Sequence, residues 1–453
     1  MKQQIVEARF IRTTLRFDAK FHLSEGLIVR STIKKSPYGN SLISDVTSNI
    51  YCPGIFRRNY TKSGVPFLGG GDIQKEELDS GKYLRAKSTP NHEILAIKKG
   101  WTLVTCGGTI GDTVFANNLL AKCWISQHVM RVIPHKIKEG MLFSYLASNY
   151  GKLLLTTNTY GSVIPTLNAS NIANLPIPNF PEEFQERVDS LIQESARLRE
   201  EATDALEKAK EVLSKYLNVS FRKEYFKTAS VSSVDVWKSL QHRLDPPAIM
   251  NDGVKSMQDI TERMSHTTIG HIKGKVYRPG IFKRNYVSNG IPYIKGSEIF
   301  LANPFRRCDQ LSRTLTPFID EMSMKEGQIL ITCAGSVGDI KLITKEYEDK
   351  KSIGSQDIIR LESSDELYTK EYLFVYLQQP FVYDYIQSMK YGSVIERIEP
   401  FHVESIPVIE PTKEICEEIT NIVRHYMDYT YRAFNCEEKA ISMVEQEIEK
   451  WNN

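Results

Sequence analysis

Two glycine-rich stretches, Cys106-Gly107-Gly108-Thr109-Ile110-Gly111 and Cys333-Ala334-Gly335-Ser336-Val337-Gly338, contain residue types that cradle phosphates. Neither has the G-x-G-x-x-G spacing or the closing Gly-Lys-Ser/Thr that would aim backbone N–H groups at a nucleotide. A strand ending in a glycine turn is expected instead. Asp245-Pro246-Pro247-Ala248 comes near the Asp/Asn-Pro-Pro-aromatic signature of base-methylating enzymes. Its fourth position needs an aromatic ring to stack on a flipped base, and alanine offers none. The nine histidines, among them His92, His128, His242, His266, His271 and His402, show no H-E-x-x-H or other metal-ligand spacing. The acids Asp18, Asp245, Asp112 and Asp339 are spread along the chain, which suits turns and caps better than paired-carboxylate catalysis. No catalytic residue, metal site or cofactor loop is assigned to this chain.

Binding chemistry is better represented. Pro53-Gly54-Ile55-Phe56-Arg57-Arg58-Asn59-Tyr60 returns as Pro279-Gly280-Ile281-Phe282-Lys283-Arg284-Asn285-Tyr286, with seven of eight positions identical. Arg bidentate to guanine and Asn bidentate to adenine are common major-groove pairings, while Lys and Tyr suit phosphates. Three roles stay open for these octets: positioning on phosphates, reading bases, or scaffold.

The octets belong to a larger repeat with a period of about 227 residues, a domain duplication. Gly64-Val65-Pro66-Phe67 matches Gly290-Ile291-Pro292-Tyr293. Leu103-Val104-Thr105-Cys106 and the glycine stretch through Asp112 match Leu330-Ile331-Thr332-Cys333 and the stretch through Asp339. Tyr160-Gly161-Ser162-Val163-Ile164 reappears unchanged at Tyr391 to Ile395, placing Ser162 and Ser393 at one candidate contact. Each copy closes on an apolar-Pro stretch, Leu175-Pro176-Ile177-Pro178 or Ile406-Pro407-Val408, and Arg16-Phe17-Asp18 loosely parallels Arg243-Leu244-Asp245. Between the matched blocks the copies diverge, and divergent loops on a shared scaffold are where different targets are read. Lys82, Tyr83, Arg85 and Lys87 in one copy, with Arg306, Arg307 and Arg313 in the other, form a second candidate contact set.

The elements that must position these residues follow from hydrophobic periodicity. Residues 94–110 and 327–337 alternate apolar runs with glycine breaks, the pattern of strands and turns, whereas 141–155 and 368–385 have helical spacing. Each copy therefore reads as an α+β module with a curved sheet core. After each module a 3,4 spacing runs through Val188, Leu191, Ser195, Leu198, Ala202, Ala205, Ala209, Val212 and Tyr216, and again through Ile419, Ile422, Tyr426, Tyr429, Ala433, Cys436, Ala440 and Met443. Near-strict heptads with charges outside the seam predict coiled-coil helices, started by Pro181 and Pro411. Val188, Leu191, Leu198, Val212, Ile419, Ile422, Tyr426 and Met443 are the candidate helix-pairing and partner residues. About 36 helical residues span roughly 54 Å. The competing expectation is two amphipathic helices, each packed on its own module.

At 453 residues the chain needs two or three cores. No apolar run reaches the about 18 residues of a membrane span, and residues 1–10 lack a secretory h-region. Seven cysteines without a C-x-x-C pair suit a reducing cytosol. The net charge of +3 hides an uneven distribution. Residues 182–217 carry six basic and ten acidic side chains, a net of −4, and residues 412–451 carry five and nine, again −4. The remainder is +11, a basic body compatible with a polyanion.

Module, long helix, module, long helix, with Gly-x-Pro-aromatic, Gly-Thr/Ser-x-Gly and Gly-Ser-x-Ile blocks in one order, resembles the specificity subunit of type I restriction–modification enzymes over essentially the whole chain. The resemblance implies an α+β fold of two duplicated target-recognition domains separated by two long antiparallel coiled-coil helices, with pseudo-twofold symmetry. It implies domain 1 at 1–180, a conserved helix and linker at 181–230, domain 2 at 231–410, and a second conserved helix at 411–453. It implies that each domain reads half of a bipartite site in double-stranded DNA, that two methylation subunits dock on the helices, and that restriction subunits can join. Catalysis would then sit in the partners, with S-adenosylmethionine on the methylation subunit and ATP with Mg on the restriction subunit. The site of action would be the cytoplasm. Two other readings stay open on the residues alone: a coiled-coil adaptor that does not bind DNA, and the specificity subunit of a methylation-only or type II-like system. A single-chain DNA-modifying enzyme would need a catalytic block of about 150 residues, and none is left over.

Overall fold

The computed structural model describes residues 24–157, 166–219, 232–238, 243 and 245–452. The chain divides into two units, one of residues 1–200 with 432–453 and one of residues 201–431. The repeated blocks build the same sheets in each.

In the first unit β2 (Thr47–Tyr51), β5 (Thr102–Thr105), β6 (Thr113–Phe115) and β8 (Val129–Pro134) form an antiparallel sheet in the order β2-β8-β5-β6. A smaller sheet, β4-β3-β7, pairs β3 (Val65–Leu68) antiparallel to β4 (Tyr83–Leu84) and parallel to β7 (Trp124–Ile125). In the second unit β11 (Gly274–Tyr277), β17 (Ile358–Ser363), β14 (Ile329–Thr332) and β15 (Ile340–Leu342) repeat the first sheet. There β13 (Asp309–Leu311), β12 (Tyr286–Ile294) and β16 (Ile353–Gly354) repeat the second, again with one parallel pair. A two-stranded ribbon closes each module: β1 (Asn40–Leu42) with β9 (Pro176–Pro178), and β10 (His266–Thr268) with β18 (Pro407–Ile409). The proline-rich closing stretches can serve as strands because each pairs on one side only.

Helices cover these sheets: α1 (Glu25–Lys34), α2 (Glu139–Ala147) and α3 (Asn149–Thr157) in the first unit, then α5 (Asp252–Arg263), α6 (Lys370–Leu377) and α7 (Pro380–Ser388) in the second. Where the spacing over 141–155 and 368–385 suggests one helix, the structure has two. Ser148 ends α2 by bonding Tyr145 O (2.6 Å), and its hydroxyl accepts Gly151 N–H at the head of α3 (3.1 Å). Pro380 starts α7, where its missing N–H is not needed. Gly26 and Gly253, at matching places in α1 and α5, allow close helix contacts. A Cβ on Gly253 would lie 2.3 Å from Tyr385 N, and one on Gly26 would lie 2.8 Å from Leu153 O.

The long helices are α4 (Glu182–Leu217) and α8 (Lys413–Glu449). In the first unit Val188, Ile192 and Ala196 share one core with Ala440, Ile441, Val444 and Ile448 and with the module residues Leu142 and Leu146. In the second, Leu206, Ala209, Leu213 and Leu217 share a core with Ile419, Val423 and Tyr426 and with Tyr372 and Tyr376. Early α4 therefore meets late α8, and late α4 meets early α8, an antiparallel pairing. Both expectations for these helices meet here, since each half-helix packs on a module and on the other helix. The buried stripe is wider than a 3,4 seam: Leu191, Val212, Ile422 and Met443 sit at its half-buried edge, while Ile192, Leu206, Leu213 and Val423 are fully buried.

Candidate nucleic-acid interface

The octets lie between β2 and β3 and between β11 and β12, the second ending on Tyr286, the first residue of β12. Phe56 and Phe282 anchor them, meeting Phe67 and Tyr293 edge to face with centroids 6.0 and 6.4 Å apart. With the phenylalanines turned inward, the neighbouring side chains turn out. Ile55 is 93% exposed and Ile281 80%, far from the usual place of isoleucine. Arg57, Lys283, Tyr60 and Tyr286 are also exposed.

The second arginine of each octet is held back by an aromatic ring. Arg58 lies 5.6 Å above Phe67 and Arg284 lies 5.7 Å above Tyr293, both within cation–π range. Tyr293 adds a hydroxyl that accepts from Arg284 Nε at 2.9 Å, and Gln356 Oε1 accepts from the same guanidinium at 3.0 Å. The tyrosine hydrogen bond raises the Arg284 pKa above its ordinary value. Phe67 has no hydroxyl to do the same for Arg58. Asn285 donates to Leu315 O (3.3 Å), whereas Asn59 is exposed.

Of the second candidate set, Lys82 is exposed just before β4 and Arg85 and Lys87 just after it, and Lys82 Nζ lies 6.0 Å from the Tyr60 ring, so this loop joins the octet surface. Arg85 bonds Ser63 O (3.1 Å) and Arg313 bonds Gly290 O (3.2 Å), so these two arginines do the same job after β4 and β13. Arg306 and Arg307 are half-buried before β13, at a different place from Lys82, Arg85 and Lys87. Ser393 is exposed in a turn closed by two bonds between Tyr391 and Arg397 (3.0 and 2.8 Å), and an Ala334–Arg397 bridge ties that turn to the glycine stretch. Ser162, like Asp18, lies outside the described residues.

The glycine stretches are closed turns. Gly108, Gly111, Gly335 and Gly338 have φ between 77° and 87°, a region glycine enters freely. Gly111 N–H donates to Thr105 O and Gly338 N–H to Thr332 O, each at 2.9 Å. Asp112 N–H and Asp339 N–H donate to the Thr105 and Thr332 hydroxyls (3.1 and 3.0 Å). These N–H groups are used internally and are not offered to a phosphate. Asp245 stands at the head of a short helix, Pro246–Ile249, and its carboxyl is held below the usual range by the Arg243 guanidinium. Among the described residues no cluster of His, Cys, Asp and Glu could hold a metal ion.

One matched block is missing from the sequence reading: Ser126-Gln127-His128-Val129-Met130-Arg131 against Ser355-Gln356-Asp357-Ile358-Ile359-Arg360. Both arginines are completely buried. Arg131 donates to the carbonyls of Ser126 (2.8 Å), Val129 (2.6 Å), Ile125 (2.5 Å) and Leu95 (3.3 Å). Arg360 donates to those of Ile358 (3.0 Å), Gly354 (3.0 Å) and Met322 (3.2 Å). The signal for the block is in the sequence: Ser-Gln-x-aliphatic-x-Arg recurs at about the same period as the other blocks.

Among protein families, the type I restriction modification DNA specificity domain matches twice, over residues 49–206 and 269–439, together well over half of the chain. Similar solved structures include the S subunit of a type I restriction–modification system from M. genitalium, 10% identical over 90% of this chain and 96% of that one, with a TM-score of 0.40. The HsdS subunit from Thermoanaerobacter tengcongensis is 13% identical over 92% and 99%, with a TM-score of 0.28. A chain from a structure of type I R-M complex assembly and conformational transition is 12% identical over 91% and 96%, also at 0.28. No curated protein matches the chain.

Proposed function

The chain belongs to the type I restriction modification DNA specificity domain family, and from that premise we propose that it is the non-catalytic DNA sequence-recognition subunit of a type I restriction–modification complex. Domains 1–180 and 231–410 each read one half of a bipartite site in double-stranded DNA. The helices of 181–230 and 411–453 dock two methylation subunits, which bring S-adenosylmethionine; restriction subunits, which use ATP with Mg, join the same assembly in the cytoplasm. The observation that carries the reading is the duplicated octet, held by the same aromatic anchor in both modules and exposing Arg57 or Lys283 beside Tyr60 or Tyr286. A cation exposed at the same place in both modules, arginine in one and lysine in the other, suits what two half-sites share, the phosphate backbone.

The test is duplex affinity of the complex with its methylation subunits across a salt series. The logarithm of affinity is expected to fall linearly with that of salt, by about 0.9 per phosphate contacted. The Arg57→Ala/Arg58→Ala variant is expected to bind more weakly with a slope shallower by about 1 to 2. An intact complex whose affinity ignores salt, or a double variant with unchanged affinity and slope, would favour the adaptor reading.

A further inference from the structure

The block that escaped the sequence reading holds one position where the two modules disagree in chemistry. Serine, glutamine and arginine are common to both copies, and the intervening residues stay apolar, but His128 stands where the other copy has Asp357. The backbone bonding is the same in both, although Gln356 Nε2 donates to the Asp357 carboxylate (3.3 Å) where Gln127 Nε2 meets the His128 ring (3.2 Å). The serine hydroxyl accepts the N–H of the residue two places on, Ser126 from His128 (3.3 Å) and Ser355 from Asp357 (3.2 Å). The carbonyl of that residue accepts from the first residue of the glycine turn, His128 O from Cys106 N–H (2.9 Å) and Asp357 O from Cys333 N–H (3.3 Å). The buried arginine clamps the segment from beneath in both. His128 is exposed and Asp357 half-exposed, and each sits beside the invariant glutamine, which in the second module is bonded to the octet arginine Arg284.

The geometry points to His128 and Asp357 as a base-reading position, one in each half-site. This rests on the DNA-recognition reading above. Two copies of one scaffold that engage different sequences must differ where they meet base edges and agree where they meet phosphates. The octets agree, and this position reverses hydrogen-bond polarity on a rigid mount. A histidine ring N–H donates to the N7 and O6 acceptors that guanine presents in the major groove; an aspartate accepts from the cytosine amine. Burying Arg131 and Arg360 under the loop secures the backbone so that the side chain's chemistry, and not loop movement, decides the preference.

The experiment uses the full chain assembled with its methylation subunits, carrying His128→Asp, His128→Asn or Asp357→His, with genome-wide mapping of methylated bases and competition binding on duplexes randomised at one position. Each His128 variant is expected to lose about tenfold or more in discrimination at one base pair of one half-site. The other half-site stays unchanged, the uncharged His128→Asn variant keeps its non-specific affinity, and Asp357→His alters the opposite half. An unchanged motif in all three variants would overturn the proposal. So would loss of non-specific binding in all three, since that marks a structural role. Failure of the DNA-recognition reading itself is separate, because it appears as a wild-type complex that methylates no bipartite motif.

Discussion

Arg131 and Arg360 each bury a guanidinium among backbone carbonyls, a costly arrangement unless those carbonyls accept its protons. Burial lowers the pKa of each to about 10, which leaves both charged at neutral pH. In both copies Nε is left without a partner, so the mount is imperfect in the same way twice. Replacing Arg131 with Met strands carbonyls of the Ser126–Val129 loop and is expected to destabilise its module by about 2–4 kcal/mol. Hydrogen exchange checks this: the loop in the first unit should exchange faster while the Arg360 loop keeps its protection. Equal protection in wild type and variant would contradict the clamp. The octets were legible as residues, because seven identities in eight survive duplication. Their geometry was not, since the ring that holds Arg58 or Arg284 lies nine residues on, across a turn. The buried arginines were hidden for another reason: arginine is rarely interior, so its residue type points to the surface.

The helices carry the second level. Charge outside a 3,4 apolar spacing made α4 and α8 readable to within a few residues, with Pro181 and Pro411 just ahead of each. The width of the buried stripe was not readable, because a heptad describes one partner and these helices have two. Leu198 is fully buried within the first unit, near the bond from Ser195 Oγ to Ala433 O (2.7 Å) and the Arg199–Glu437 ion pair (2.9 Å). Leu198→Asp places an unpaired carboxylate in that seam. It is expected to abolish assembly with the methylation subunits while the β2-β8-β5-β6 sheet keeps its exchange protection. Native mass spectrometry reads the outcome, and complexes of normal mass would contradict it. The break at Ser148 or Pro380 within each stretch of helical spacing lay beyond periodicity, because the apolar spacing continues across it.

At the scale of the molecule, duplication is the organising fact, visible in the sequence block by block and in the structure strand by strand. The acidic helices, −4 each, and the basic remainder, +11, differ in sign, as the proposal of different partners for helices and modules requires. Which bases each module prefers lies in a few side chains, and composition cannot reach them. The most direct test of a two-module reader is single-molecule mapping of methylated bases in cells that carry this chain with its methylation subunit, against cells from which this chain alone is deleted. The expected result is a two-part motif with a gap, present with the chain and absent without it. A methylation pattern indifferent to the deletion would contradict the account.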